Sequence, residues 1–308
     1  MIVDHLKVYF KAGRGGRGGS AISHISHHKE RGDGGDGGEG GNVYLKVDAH
    51  YYDLKKFKSK NRFEAPDGEA GRAANRKGRD AEDLEVGIPP GTRVLTLNGK
   101  ILADLTGTDE SFLICRGGRG GKGNYKRDYT KPAGRGEEKE VFLDYRIPND
   151  IAILGFPNTG KTSLFNALTG HDFKVAAYPF TTLSCITSKF TYNFRDYIVL
   201  DTPPLKRKGI SCDSHNRFLR HIARSKILLF LSRADSDFES DFEAIKKGIT
   251  GFSPGLLKNK KVFYLVNKID KMDKIPVKRG IFFISVQASL ELKELKIEIE
   301  RCLTASCG

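Results

Sequence analysis

The amino-acid sequence predicts two joined domains: a glycine-rich β module over residues 1–149, then an α/β domain with a mostly parallel sheet over residues 150–308. Three observations carry that reading. Of 35 glycines, 26 fall in residues 1–150 and 9 in residues 151–308, so two kinds of chain meet near residue 150. In the first half glycine recurs with a period near three. In the second, short apolar runs alternate with helical periodicity, the pattern of a parallel sheet wrapped by helices. A length of 308 residues accommodates two domains, and a hydrophobic share of 38% permits a modest core.

In the first half, segments 11–19 and 116–124 resemble one another, with the glycine run 32–41 between them. A three-residue glycine period suits polyproline II helices packed side by side, because only glycine fits where backbones touch. A flexible linker has similar composition. It would not need the strand-like segments at 42–47, 84–88, 93–97 and 141–147, nor the turn signal Pro89-Pro90-Gly91. The interleaved arginines form an RGG-like pattern compatible with RNA. Asp33, Asp36 and Glu39 in the middle run would repel phosphate.

In the second half, the apolar run 151–154 ends at a glycine and reads as a buried parallel strand. Residues 161–168 read as a helix. Strands are expected at 197–200, 227–231, 262–266 and 281–286, helices at 216–224 and 238–247, and a closing helix at 290–303.

The chemistry sits at the ends of these strands. Gly155-Phe156-Pro157-Asn158-Thr159-Gly160-Lys161-Thr162 matches the P-loop pattern between a strand and a helix. Its glycines let backbone N–H groups converge on phosphates, and the helix N-terminus adds positive potential. Lys161 is expected to reach the β- and γ-phosphates and Thr162 to ligate Mg²⁺. Asn267-Lys268-Ile269-Asp270 follows a strand and selects guanine: Asp270 can accept from N1–H and the 2-amino group, a donor pair that adenine lacks. Asn267 is expected to brace this loop, and the Lys268 stem to lie over the ring. Thr181-Thr182 lies where a switch threonine completes the Mg²⁺ shell, within a candidate nucleotide-facing stretch of Phe180, Thr181, Thr182, Leu183 and Ser184. Asp201 ends a strand at the Walker B position and leads Thr202, Pro203 and Pro204. Ser285-Val286-Gln287 ends the last strand and can offer backbone N–H groups to guanine O6. Lys161 and Thr182 are the candidate catalytic residues, and Thr162 and Thr182 the candidate metal ligands.

The net charge is +14, of which residues 151–308, with 25 basic and 15 acidic residues, carry +10. Such a field favours a polyanion, nucleic acid first, although lysine-rich composition alone would produce it. The five cysteines are scattered and form no zinc or CxxC spacing, which suits a reducing compartment. The N-terminus lacks a signal-peptide profile, and the longest apolar runs, such as 227–231, are too short to span a bilayer. The expectation is a soluble, cytoplasmic chain without a membrane span.

Taken together these motifs resemble the Obg family of GTPases along nearly the whole chain. The matching features are 3–8, the two GGxGG runs, 34–38, Ile88-Pro89-Pro90-Gly91-Thr92, 120–124, the P-loop, Tyr178-Pro179-Phe180-Thr181-Thr182-Leu183 and Phe218-Leu219-Arg220-His221-Ile222. The resemblance implies an α/β P-loop GTPase domain preceded by an Obg-type β domain bearing polyproline II helices. It further implies slow GTP hydrolysis with Mg²⁺, binding of GTP and GDP, a monomer, and a role in assembling the large ribosomal subunit in contact with its rRNA.

The sequence departs from that family in four places. The third GTPase motif, Asp-x-Pro-Gly in the family, is Asp201-Thr202-Pro203-Pro204, and Pro204 has no N–H to offer a γ-phosphate. Losing a hydrogen bond to a charged group is worth about 1.5–3 kcal/mol. Leu205 stands where Ras-type enzymes carry a water-orienting glutamine, as is usual in Obg proteins. Segment 206–214 replaces the family's glycine-rich switch with Lys206, Arg207 and Lys208, which either touch RNA or are solvated. The further C-terminal domain of many relatives is not expected, and Val286 replaces an alanine. Two readings follow: a cycling GTPase on the large subunit, or an rRNA-binding assembly protein that holds nucleotide and barely hydrolyses it.

Overall fold

The computed structural model describes residues 3–26, 29–170, 174–177, 184–206, 214–272, 274–276 and 278–305. Two compact units emerge: Val3–Tyr145, and a second that begins at Arg146.

The first unit is built on two small sheets. One orders its strands Arg62–Glu64, His5–Lys11, Glu138–Tyr145, Thr92–Thr96 and Ile101–Leu105; the other orders Leu84–Ile88, Val43–Val47 and Ser111–Cys115. Alternation buries Val43, Leu45 and Val47 on one face of their strand. Val8, Phe10, Val94, Val141 and Leu143 are buried from the larger sheet. Ile22–Ser26 and Lys29–Gly32 form a separate antiparallel hairpin.

Between the strands run six extended segments, 12–19, 34–41, 65–71, 76–83, 116–123 and 131–137, joined by main-chain hydrogen bonds. The bonds recur every third residue. Gly13 N donates to Gly41 O, Gly40 N to Gly118 O and Gly118 N to Gly13 O, at 2.8–2.9 Å. One tier along, Gly16 N donates to Gly38 O, Gly37 N to Gly121 O and Gly121 N to Gly16 O, again at 2.8–2.9 Å. In the next tier Asn124 takes over: its Oδ1 accepts from Gly34 N at 2.8 Å while its own N–H donates to Gly19 O. These are polyproline II helices packed at their closest approach. A β-carbon on Gly37 would lie 1.9 Å from the Gly16 carbonyl oxygen, and one on Gly15 would lie 1.9 Å from that of Arg119.

The second unit carries a seven-stranded sheet ordered Lys174–Ala177, Ser184–Tyr192, Arg195–Asp201, Ile151–Gly155, Ile227–Arg233, Lys261–Asn267 and Ile281–Phe283. The last five strands of that order run parallel, and the first two add antiparallel pairs at one edge. Ile151–Gly155 is buried at every residue, as a central parallel strand requires. Helix Lys161–Thr169 buries Leu164, Phe165 and Leu168, and helix Leu292–Ala305 buries Leu292, Leu295, Ile299 and Leu303, the i, i+3, i+7 stripe of an amphipathic helix. Helix Phe238–Phe252 is capped by Asp237, whose side chain accepts from Ser240 N at 3.2 Å.

Two expectations are corrected. Segment 216–224, expected as an ordinary helix, is 3₁₀ helix up to its next-to-last residue, in the element Ser214–Ala223. Phe218 and His221, like Leu219 and Ile222, are buried three residues apart, the spacing that eclipses in a 3₁₀ helix. His221 Nδ1 accepts from Ile147 N at 3.2 Å, and its carbonyl accepts from Asn149 Nδ2 at 2.9 Å, which anchors this segment beneath the first parallel strand. The strand expected over 281–286 stops at Phe283, because Ser285 turns back to pair with Leu290.

At the antiparallel edge Tyr192 pairs with Arg195 across a two-residue turn of Asn193 (φ 47) and Phe194 (φ 62). Left-handed backbone disfavours a side-chain-bearing residue by ~1–2 kcal/mol.

Substituting Gly37→Ala is expected to destabilise the glycine-rich unit by about 3 kcal/mol or more, since backbone cannot yield as a side chain does. Gly255→Ala, where a β-carbon meets nothing within 4 Å, is expected to stay within about 0.5 kcal/mol of the parent. Urea unfolding of the two variants measures both.

Candidate nucleotide-binding site

The parallel strands deliver the candidate residues to their carboxyl ends, the edge of an open α/β sheet where ligands bind. Gly155 closes its strand and opens the P-loop; Asp201 and Asn267 are each the last residue of theirs. Asn158 (φ 62) and Gly160 (φ 92) both take left-handed backbone, which curls the loop so that its amides converge ahead of helix Lys161–Thr169. Phe156 and Thr159 are buried, and Pro157 and Asn158 are exposed. Within the loop, Thr159 Oγ1 donates to Phe156 O at 3.0 Å and Lys161 Nζ donates to the same carbonyl at 2.9 Å. Burial pushes the Lys161 ammonium below its ordinary pKa, and the Asp201 carboxylate opposes that shift.

Thr162 Oγ1 donates to Asp201 Oδ2 at 2.8 Å. Burial pushes the Asp201 carboxyl above its ordinary value, against that hydrogen bond and the charge of Lys161. Its other oxygen, Oδ1, is buried without a hydrogen-bond partner. A hydroxyl beside an under-satisfied carboxylate is a hard-oxygen set that fits Mg²⁺. Among the described residues no cluster of three or more His, Cys, Asp or Glu could hold a metal by itself.

Asn267 ties the 267–270 loop to the P-loop. Its Nδ2 donates to Thr159 O at 3.0 Å, and its Oδ1 accepts from Val286 N at 3.2 Å. Gly160 makes this contact possible, because a β-carbon there would lie 2.4 Å from Asn267 Nδ2. Lys268 (φ 68) donates through Nζ to Asn158 O at 2.9 Å, and Ile269 is buried beneath the loop. Asp270 is exposed, with Oδ1 accepting from Ser285 Oγ at 2.5 Å.

The structure therefore brings together Gly155 to Thr162, Asp201 and Asn267 to Asp270. Of Ser285, Val286 and Gln287, Ser285 holds the Asp270 carboxylate through its hydroxyl, and the Val286 amide is engaged by Asn267. Sequence spacing missed the hydroxyl, because the motif carries no signal that two loops meet. Phe180, Thr181, Thr182 and Leu183 lie outside the described residues, and Ser184 begins its strand.

The third motif is fastened to the P-loop. Thr202 Oγ1 donates to Ile153 O at 2.6 Å, Pro203 is buried, and Leu205, fully buried, donates its amide to Gly155 O at 3.1 Å. Pro204 and Leu205 share a cleft of about 520 Å³ with Phe156, Pro157, Thr159, Lys206, Arg233 and Asp241.

The Asp201 carboxyl has a higher pKa in the folded chain than the unfolded reference of 3.8. The folded state thus holds that proton more tightly, and stability from this group falls as pH rises through the folded value. In nucleotide-free, Mg²⁺-free chain, Asp201→Asn is expected to gain stability relative to the parent as pH rises from below about 4 to neutrality. Urea unfolding across that range measures it; a pH-independent difference would refute it.

Two family models match the chain in tandem, GTP1/OBG over residues 3–143 and 50S ribosome-binding GTPase over residues 150–268. A protein named GTPase Obg from a Sulfurihydrogenibium species is 35% identical, covering 93% of this chain and 90% of its own. Its namesake in Chloroherpeton thalassium is 33% identical over 99% of this chain and 98% of its own. Among solved structures, the G domain of the T. maritima FeoB iron transporter covers 50% of this chain at 25% identity with a TM-score of 0.39. Two matched models and relatives aligned from end to end place this chain in the Obg family of GTPases.

Proposed function

We propose that this chain binds GTP and GDP with Mg²⁺, hydrolyses GTP slowly, and acts as a cytoplasmic monomer in assembly of the large ribosomal subunit, in contact with its rRNA. Its working parts are domains 1–149 and 150–308. The observation that carries the proposal is the Asn267 brace, which holds the phosphate loop and the guanine-reading Asp270 in one frame.

In this reading the P-loop amides cradle the α- and β-phosphates. Lys161 exchanges its Phe156 carbonyl for β- and γ-phosphate oxygens and offsets their charge. Thr162 and Thr182 would hold Mg²⁺, which would neutralise phosphate charge. Asp201 accepts from Thr162 and so fixes the orientation of that hydroxyl. Asp270, steadied by Ser285, accepts from guanine N1–H and the 2-amino group. Water attacks without a protein base, since Leu205 is apolar and buried; positioning and charge stabilisation supply the rate, hence a slow reaction.

A second reading keeps the nucleotide site and removes most of the hydrolysis. Pro204 has no amide, and the adjacent Leu205 amide is bonded to Gly155 O. The nearest amide after the two prolines is therefore not free to turn toward a γ-phosphate.

Single-turnover hydrolysis of GTP, with and without large ribosomal subunits, separates the readings. Phosphate release above the uncatalysed rate, raised by subunits, is expected; background release in both conditions would leave only the binding role. Pro204→Gly is expected to raise affinity for a non-hydrolysable GTP analogue by about tenfold or more over any change for GDP, the worth of one charge-assisted hydrogen bond. Equal shifts in a paired nucleotide titration would remove this account of the proline.

A further inference from the structure

The edge hairpin carries a feature that neither folding nor nucleotide binding accounts for. A two-residue turn with positive φ at both positions favours asparagine or glycine first and glycine second. Here Asn193 takes the first position and Phe194 the second. The Phe194 ring is fully solvent-exposed at 105% of its reference area, so it repays the strain with no contact of its own. The turn that carries it is tied by side-chain hydrogen bonds. Asn193 Nδ2 donates to Glu300 Oε2 at 2.8 Å, and Asp196 accepts from Thr191 Oγ1 at 2.6 Å and from Lys189 Nζ at 2.9 Å. A strained residue held in place by its surroundings points to function rather than to stability.

Its immediate neighbours decide the kind of partner. Asn193, Arg195, Asp196 and Thr191 are exposed and polar, so the ring stands without the apolar rim that a protein anchor residue normally has. Arg195 is exposed and makes no ion pair among the described residues. A lone aromatic face beside a free guanidinium matches how unpaired RNA is held, by stacking on the base and pairing with its phosphate. The hairpin also lies inside the 150–268 span matched by the 50S ribosome-binding GTPase family.

We infer that Phe194 is a stacking platform for an unpaired nucleobase of large-subunit rRNA, with Arg195 engaging the adjoining phosphate. The inference rests on the reading that this chain acts on the large ribosomal subunit. The hairpin backbone that carries the ring is already paired, so binding orders chiefly the ring's own rotamer.

Two variants test it. Phe194→Gly restores the favoured turn residue. It is expected to leave GDP affinity unchanged, hold or raise the melting temperature, and weaken binding to 50S subunits about tenfold, within the range of one lost base stack. A purely structural ring would give the opposite pattern, lower stability with unchanged binding. Because the chain contains no tryptophan, Phe194→Trp supplies a single reporter. It is expected to bind subunits with parental affinity and to be quenched on binding. Wild-type affinity in Phe194→Gly overturns the inference alone. A blue shift without quenching in Phe194→Trp places the ring in a ribosomal-protein pocket and overturns the base assignment. Failure of the parent chain to bind subunits overturns the functional reading and this inference with it.

Discussion

Main chain packed directly against main chain, with no room for a β-carbon, is the constraint on which both units rest. In the glycine-rich unit it repeats tier by tier, as where Gly37 meets the Gly16 carbonyl. In the nucleotide-binding unit it recurs where Gly155 abuts the Leu231 carbonyl of the neighbouring strand, and Gly160 likewise leaves no room for a β-carbon, here against the side-chain amide of Asn267. The second contact brings the phosphate loop within hydrogen-bonding reach of the guanine loop. One amide side chain then ties both, and among the described residues Lys268 on the Asn158 carbonyl is the other direct brace.

The third GTPase motif is tied down at the same loop. Its threonine bonds to the Ile153 carbonyl and its leucine amide to the Gly155 carbonyl, so residues 202–205 are anchored on either side of the two prolines. In a nucleotide switch a flexible glycine lets this segment answer the γ-phosphate. Here rigid φ angles and engaged donors oppose that response.

Much of this was legible in the sequence because it depends on local pattern. The three-residue glycine period foretold packed polyproline II helices, and strand–Gly155–Lys161–helix foretold the phosphate loop. What the pattern lacked was the identity of partners distant in sequence. Nothing in the spacing announces that Gly16 bonds to Gly38, or that Asn124 substitutes its side chain in the last tier. The Ser285 hydroxyl on Asp270 and the Leu205 amide on Gly155 were hidden for the same reason. The 3₁₀ form of Ser214–Ala223 was misread because apolar residues three apart share a face in both an α-helix and a 3₁₀ helix. The Asn193–Phe194 turn was missed because phenylalanine is not a turn residue, and a functional exception is where local rules fail.

The glycine-rich segments carry a thermal consequence. Their tiers are held by amide–carbonyl bonds between glycines, and the side chains between those glycines are largely arginine, aspartate and glutamate. Melting that region uncovers mainly polar surface, whose hydration lowers heat capacity, whereas melting the leucine- and isoleucine-rich sheet unit raises it. The glycine tiers and the apolar sheet unit therefore contribute differently curved stability functions. Cooling weakens the hydrophobic hold on the nucleotide-binding unit while leaving the glycine tiers comparatively untouched.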